Sequence, residues 1–108
     1  MFKKVLCVGD LVADIFASPL ARLPEPGELV LTERIAVFPG GNALNTAVAL
    51  RRLGEQVAIA GSVGDDALGR LLLDQMATLG LNVCGVRREP EGRTASTFIV
   101  RAEGEDRR

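Results

Sequence analysis

The fold of this 108-residue chain is decided by residues 42–86, which read NALNTAVALRRLGEQVAIAGSVGDDALGRLLLDQMATLGLNVCGV. Apolar residues recur at helical spacing in 42–53 and again in 66–79, and each segment ends at a glycine, as helices often do. Continuous apolar runs at 57–60 and 83–86 predict short buried strands. Helices and strands that alternate in this way form right-handed crossovers between parallel strands, so we predict a three-layer α/β core.

Residues 5–8 add another strand to this core. They form a short apolar run that is closed by Gly9 and Asp10, which is the pattern of a buried strand that ends in a turn. We therefore predict that 5–8, 57–60 and 83–86 are neighbouring strands of one largely parallel sheet.

The segment between the first strand and the first helix does not follow this alternation. Residues 19–27 contain several prolines and predict a loop. Residues 29–31 and 35–38 are apolar and predict two short strands, and Pro39-Gly40-Gly41 predicts a break in the backbone.

The end of the chain predicts a further strand. Residues 94–102 alternate and are rich in Thr, Phe, Ile and Val, which favours an exposed antiparallel strand, and 103–106 predict a turn. Like the strands predicted near 29–38, this strand does not fit the alternation of the core, so we expect a small β-layer that stands off the core. The alternation would place Ala95, Thr97, Ile99 and Arg101 on one face of the strand and Thr94, Ser96, Phe98 and Val100 on the other.

Composition and charge exclude several classes of function. The chain has 13 basic and 14 acidic residues and a net charge of -1, so nothing in it indicates nucleic acid or an anionic membrane as a partner. It contains no histidine, which argues against a zinc site. Cys7 and Cys84 are flanked by apolar residues, so we expect two buried, reduced thiols of a cytoplasmic protein, while a disulfide stays open. The apolar run after Met1-Phe2-Lys3-Lys4 ends too early for a signal peptide or a membrane span.

A glycine pair precedes the first predicted helix, in Pro39-Gly40-Gly41-Asn42-Ala43-Leu44-Asn45. Paired glycines let a ligand approach the main chain, and the helix start offers unpaired N–H groups and the positive end of a dipole. The amides of Asn42 and Asn45 lie three residues apart, so they project to one side of the first turn and suit the hydroxyls of a polyol. A helix start capped by asparagine is the simpler interpretation of these residues on their own.

Two aspartates follow the first predicted strand, in Gly9-Asp10-Leu11-Val12-Ala13-Asp14. Ligands of parallel α/β sheets bind beyond the carboxyl ends of the strands, where Asp10 and Asp14 could hold sugar hydroxyls. Support of a turn is an equally good interpretation of Asp10, and Asp14 could simply be solvated.

A third motif, Gly61-Ser62-Val63-Gly64-Asp65-Asp66-Ala67-Leu68-Gly69, begins the second helix. Two aspartates would repel a phosphate there, so we interpret the motif as a structural turn with Asp66 as the helix N-cap. It is not a phosphate-binding loop of the Walker type, because no Gly-Lys-Ser/Thr follows.

Taken in order, these segments resemble the ribokinase (PfkB) family of sugar and nucleoside kinases over nearly the whole chain. The resemblance rests on the Gly-Asp-x-x-x-Asp after strand one, on the Leu53-Gly54 helix end, and on two longer motifs. Those motifs are Gly40-Gly41-Asn42-Ala43-Leu44-Asn45-Thr46-Ala47 and Gly61-x-Val63-Gly64-Asp65-Asp66-x-x-Gly69. The resemblance implies a ribokinase-like, Rossmann-like parallel core, here partial. It also implies an antiparallel β lid, with strands within about 12–38 and 94–108 inserted in the core, that hinges at Gly40-Gly41.

The resemblance also implies an activity and a site. The activity is ATP-dependent phosphorylation of a sugar-like hydroxyl, with Mg²⁺ on the phosphates. The family's catalytic base and ATP pocket lie in the C-terminal half, so we expect neither catalytic residues nor bound ATP in this chain, and no activity from it alone. Several relatives pair through their lids, which implies a homodimer. The implied substrate-binding residues are Asp10, Asp14, Gly40, Gly41, Asn42 and Asn45, of which Asp14, Gly41 and Asn45 would hold the acceptor.

The chain departs from ribokinase itself at two positions, and two other classes of function stay open. Ribokinase itself carries Asn in place of Val12 and Lys in place of Asn42, so the resemblance does not name ribose as the sugar. A non-catalytic sugar-binding or dimerisation module is the alternative if 108 residues are the natural product. A dinucleotide-binding oxidoreductase would need Gly-x-Gly-x-x-Gly after strand one, and residues 9–14 do not supply it.

Overall fold

The computed structural model describes residues 4–104, along which strands and helices alternate. In chain order the elements are β1 (Lys4–Val8), β2 (Val12–Ala17), β3 (Ile35–Gly40), α1 (Asn42–Arg52), β4 (Gln56–Gly64), α2 (Ala67–Thr78), β5 (Asn82–Glu89) and β6 (Ser96–Ile99). Neither of the helices in this range is long and apolar enough to cross a lipid bilayer. Residues 105–108, which carry the end of the predicted lid and half of the predicted turn, lie outside the described residues.

The core is a parallel sheet with the strand order β1-β4-β5, and the predicted neighbours are confirmed. The central strand β4 contributes Val57 and Ile59 to the buried layer, and both helices pack there. Leu44 of α1 and Leu72 and Met76 of α2 are fully buried against these residues, so burial of aliphatic side chains holds the helices on the sheet.

The opposite face of the core sheet is open within the described residues. Leu6 and Val8 of β1 are 61% and 68% exposed there. Residues 4–104 thus form two layers of the predicted three-layer core, which is the partial core that the sequence predicts.

A second sheet, β3-β2-β6, stands beside the core, and we call it the lid sheet. In β2, Asp14 lies opposite Phe38 of the antiparallel β3 and opposite Thr97 of the parallel β6. The lid is therefore mixed, and the prediction that all its strands are antiparallel is wrong. Strands β2 and β6 follow β1 and β5, which are parallel and leave the core at the same edge, so both enter the lid in one direction.

The predicted alternation of faces is confirmed for the four residues of β6. Thr97 and Ile99 pair with Asp14 and Phe16 of β2, whereas Ser96 and Phe98 pair with Ala13 and Ile15. The prediction of a strand over 94–102 was too long, since regular pairing covers only Ser96–Ile99.

Residues 29–31 are not a strand, and that prediction is wrong. Leu29 and Leu31 are 83% and 82% exposed and lie in an irregular excursion. The Ser18 amide donates to the Arg34 carbonyl at its base, so β2 and β3 pair directly and the segment between them has no strand to join.

Two predicted breaks are instead the ends of strands. Strand β3 continues through Pro39 and Gly40, because it lies at the edge of its sheet, where a residue without an N–H is tolerated. Strand β4 continues through Gly61 and Gly64, which were expected to form a turn. A Cβ atom added at Gly61 would lie 2.6 Å from the carbonyl oxygen of Gly9. A Cβ atom added at Gly64 would lie 2.6 Å from the carbonyl oxygen of Gly92, so both glycines permit close packing.

Both cysteines are free thiols, but only one is buried as predicted. Cys7 of β1 belongs to the core, whereas Cys84 of β5 is exposed. Its neighbour Val83 packs against the core, so the alternation of the strand turns Cys84 away from it.

The helix ends follow the predicted caps. Gly54 adopts a positive φ of 93° after α1, and the Glu55 amide donates to the Leu50 carbonyl, which closes the last turn. The Asp66 carboxylate accepts from the Gly69 amide at 2.8 Å and caps α2.

The same carboxylate joins the core to the lid. The Thr94 amide donates to Asp66 Oδ2 at 2.9 Å, and the Thr94 hydroxyl donates to Oδ1 at 2.5 Å. The hydroxyl oxygen also accepts from the Gly64 amide at 3.0 Å. Thr94 is only 6% exposed, and a Cβ atom at Gly69 would lie 2.8 Å from its hydroxyl oxygen. The motif of residues 61–69 therefore leaves space for the Thr94 side chain.

These bonds make the network sensitive to pH. The Thr94 hydroxyl, the Thr94 amide and the Gly69 amide hold the pKa of Asp66 below its usual range, and Arg70 adds a weaker effect in the same direction. Because the folded pKa is the lower one, the stabilisation is fully present above the unfolded value of about 3.9. It is lost as the pH falls through the folded value.

We predict that Thr94→Val lowers the free energy of unfolding by about 1–3 kcal/mol at pH 7, because the Gly64 amide loses its acceptor inside the protein. Thr46→Val, an identical change at an exposed position of α1, is the matched control and should have little effect. Urea denaturation of both variants measures this, and repeating it at pH 3 should shrink the difference between Thr94→Val and the wild type. Equal stability of the two variants at pH 7 would contradict the role assigned to Thr94.

Candidate functional site

Two concavities lie where the lid sheet meets the core. The first, which we call the strand-end cleft, has a volume of about 390 Å³ and lies at the carboxyl ends of β1 and β4. The second, the helix groove, has a volume of about 550 Å³ and lies between α1, α2 and β3. The strand-end cleft is lined by Gly9, Asp10, Leu11, Val12, Ser62, Val63, Glu89, Arg93 and Ala95.

The structure brings Asp14 and Gly40 into direct contact. A Cβ atom at Gly40 would lie 2.7 Å from the carboxyl carbon of Asp14, so only glycine leaves room for the carboxylate. The Thr97 hydroxyl donates to Asp14 Oδ1 at 2.5 Å and fixes the side chain from the other neighbouring strand. The carboxylate thus lies at the end of β3, next to the start of α1, with acceptor capacity left for a ligand hydroxyl.

Gly41 makes a second close approach. Its φ is 94°, and a Cβ atom there would lie 2.9 Å from the carbonyl carbon of Asp10 and 3.2 Å from Val12 Cγ2. The glycine pair therefore lets the turn before α1 pack on the segment that follows β1. Asp10 and Asp14 are held near this turn from two sides.

The start of α1 lacks a side-chain cap. Gly41 is the N-cap residue, and no side chain there accepts a hydrogen bond from the first turn. The simpler interpretation of the asparagines as caps is therefore wrong for Asn42 and Asn45. Both residues are exposed, and the amides of the first turn have no side-chain cap.

Asn45 lies in the helix groove rather than in the strand-end cleft. It lines that groove together with Phe38 and Pro39 of β3, and Phe38 is the residue that pairs with Asp14. Asp10, by contrast, lines the strand-end cleft. Of the six predicted site residues, the structure thus packs Asp10, Asp14, Gly40 and Gly41 together, while Asn42 and Asn45 extend from the helix that follows.

Sequence reasoning missed four polar residues of this region, one of which is Glu89 in the lining of the strand-end cleft. Thr97 binds the Asp14 carboxylate, and Ser62 and Arg93 line the strand-end cleft. The alternation of β6 could have indicated Thr97, but only with the knowledge that β6 lies beside β2. Ser62 and Arg93 carry no local signal, because the cleft is formed by segments that are distant in sequence.

Two relatives with similar sequences are sugar kinases by name. "Probable fructokinase-7" of Arabidopsis thaliana is 36% identical over 104 residues, which is 94% of this chain and 28% of that protein. The ribokinase of Bacillus subtilis (strain 168) is 32% identical over 104 residues, which is 96% of this chain and 35% of that protein. The chain spans about a third of the length of these relatives, in their N-terminal part.

Solved structures show the same architecture. Arabidopsis thaliana ribokinase, complexed with ribose and ATP, matches all of this chain with a TM-score of 0.87 at 24% identity, over 35% of its own length. Xylella fastidiosa fructokinase with bound ATP matches 93% of this chain with a TM-score of 0.74 at 32% identity, over 30% of its length. The predicted ribokinase-like fold is confirmed.

The family follows from the sequence itself. Residues 3–108 match the family described as pfkB family carbohydrate kinase, which is nearly the whole chain. The match includes the aspartate, the glycine pair and the helix start that the structure packs against one another. The chain belongs to the pfkB family of carbohydrate kinases.

Proposed function

We propose that this chain is the sugar-binding and lid portion of an ATP-dependent kinase that phosphorylates a carbohydrate hydroxyl. The observation that supports this most is the Asp14 carboxylate, which rests on Gly40 and is fixed by the Thr97 hydroxyl at 2.5 Å. A carboxylate held in one orientation beside a helix start suits a neutral polyol, because it accepts from hydroxyls while the first-turn amides donate.

The contribution of these residues to the reaction would be positioning. Asp14, Gly41 and Asn45 would hold the acceptor sugar, with Asp10, Gly40 and Asn42 around them. The lid sheet would exclude water while phosphate is transferred. This proposal takes residues 1–108 as one substrate-binding part of a ribokinase-like domain, with the lid strands inserted in the core.

ATP and Mg²⁺ belong to the complete enzyme in this proposal. The Xylella fructokinase and the Arabidopsis ribokinase were both solved with ATP, which supports its use here. Within residues 4–104, no group of three or more His, Cys, Asp or Glu residues could hold a metal ion, so we assign Mg²⁺ to no residue of this chain.

We propose the cytoplasm as the location, since the exposed thiol of Cys84 stays reduced there.

In the full-length protein, Asp14→Ala and Asn45→Ala should each raise the KM for the sugar about tenfold to a hundredfold and leave the KM for ATP unchanged. Each variant leaves a sugar hydroxyl without its partner, at a cost of about 1–3 kcal/mol. Gln56→Ala, an exposed amide at the amino-terminal end of β4, is the control. Steady-state kinetics in which both variants keep the wild-type sugar KM would sink the assignment.

The 108-residue chain on its own should transfer no phosphate from ATP. Its sequence contains neither a Walker-type loop nor a Gly-x-Gly-Asp segment. A coupled assay of ADP release in the presence of sugar measures this. Sugar-dependent turnover well above a blank would refute it, whereas sugar binding without turnover in the full-length protein would favour the alternative, a non-catalytic sugar-binding module.

We also propose that the lid sheet mediates a homodimer. Ile35, Phe38 and Phe98 are 57%, 51% and 57% exposed, and they lie on both faces of the lid sheet. The outer edges of β3 and β6 carry no further strand within the described residues, and such edges template pairing with another chain.

Light scattering on the isolated chain should give a dimer mass at high micromolar concentration. Phe98→Ser should shift the mass towards the monomer, because it removes apolar area from the lid. Leu53→Ser, at an 80% exposed position after α1, is the control and should leave the dimer intact. A wild-type chain that stays monomeric at this concentration means that the lid does not associate.

A further inference from the structure

Arg93 has a position in the strand-end cleft that the site described so far does not use. It lies next to Thr94, whose side chain is buried and bonded to Asp66. Thr94 is buried, whereas its neighbours Arg93 and Ala95 are exposed. Both of these residues line the cleft.

The strand-end cleft opens on the same face as the Asp14 carboxylate. Val12 lines the cleft, and in β2 it lies opposite Gly40, two residues before Asp14. Alternate residues of a strand share a face and lie about 7 Å apart. A sugar of ordinary size that touches Asp14 can therefore reach into the cleft that holds Arg93.

We propose that Arg93 is a substrate-contacting residue that sets the specificity of this site for neutral polyhydroxylated sugars. The inference rests on the proposed sugar-kinase function and goes beyond the residues assigned to it. A guanidinium presents several N–H donors in one plane, so it can donate two bonds to oxygens on adjacent carbons. Ser62, in the same cleft, adds a hydroxyl that can donate or accept.

The charges around Arg93 favour a neutral ligand over an anionic one. Asp10 and Glu89 line the same cleft, and Asp14 lies on the same face. Arg87 pairs with Glu89 at 3.1 Å and offsets part of that charge. None of the ion pairs within residues 4–104 involves Arg93. A carboxylate or phosphate on the sugar would gain one cation but face two aspartates.

The absence of aromatic residues in the cleft favours a sugar over a nucleoside. The lining residues are aliphatic, small or charged, and none has a ring on which a base could stack. Hydrogen bonds to hydroxyls are the recognition that this lining can provide.

The test uses full-length wild-type protein with Arg93→Ala, Arg93→Lys and the exposed control Arg34→Ala. Four probes are offered: D-fructose, D-ribose, D-gluconate and fructose 6-phosphate. Steady-state kinetics gives KM for each probe and for ATP, and calorimetry gives the binding of each probe without turnover. Urea denaturation of each variant shows that the fold is retained.

We expect the wild type to prefer the neutral sugars at least about tenfold in kcat/KM. Arg93→Ala should raise the KM for its best neutral sugar about tenfold or more, with the KM for ATP unchanged, because charge-assisted bonds to the substrate are lost. The sugar KM of Arg93→Lys should lie between those of the wild type and Arg93→Ala, since lysine keeps the charge but not the planar donors. Arg34→Ala should behave as the wild type.

Four outcomes separate the claims. If the wild type is active and Arg93→Ala leaves the sugar KM unchanged, the role of Arg93 is overturned and the kinase proposal stands. The same conclusion follows if the wild type prefers the anionic probes. A wild type that binds a neutral sugar through Arg93 but transfers no phosphate contradicts the kinase proposal alone. A wild type that neither binds nor phosphorylates any of the four probes contradicts both.

Discussion

The Asp66 carboxylate binds two parts of the molecule at once. It caps α2 through the Gly69 amide and holds the amide and hydroxyl of Thr94, where the chain leaves β5 for the lid. Strand β6 begins two residues later, and its Thr97 orients Asp14. A helix cap in the core is thereby linked, through the segment from Thr94 to Thr97, to the side chain that the proposed sugar site depends on. Arg93 of the strand-end cleft directly precedes Thr94.

Glycines at four close contacts are the second requirement of this arrangement. Gly40 leaves room for the Asp14 carboxylate, Gly41 for the Asp10 carbonyl, and Gly64 and Gly69 for the segment around Thr94. Each of these contacts would be lost if a Cβ atom were added, because backbone or a fixed carboxylate stands in its way. The two glycine motifs thus have related tasks: one permits close packing at the proposed site, and the other permits close packing around Thr94, which precedes β6.

The sequence predicted what short-range patterns determine. Helical periodicity indicated α1 and α2, continuous apolar runs indicated the parallel core, and the position of Asp66 before α2 indicated its cap. It could not indicate the direction of β6, because alternation is the same in parallel and antiparallel strands. Leu29 and Leu31 show that an apolar run without a partner strand stays irregular and exposed. Arg93 and Ser62 reach the cleft through tertiary contacts that are distant in sequence, so no local pattern marks them.

A crystal structure of the full-length protein with D-fructose tests the central claim most directly. The account predicts the sugar between the lid sheet and the start of α1, with one hydroxyl oxygen at about 2.7 Å from an Asp14 carboxylate oxygen and with the Thr97–Asp14 bond retained. A sugar bound elsewhere on the protein, with Asp14 still bonded only to Thr97, would contradict the assignment of this chain as the sugar-binding portion of a kinase.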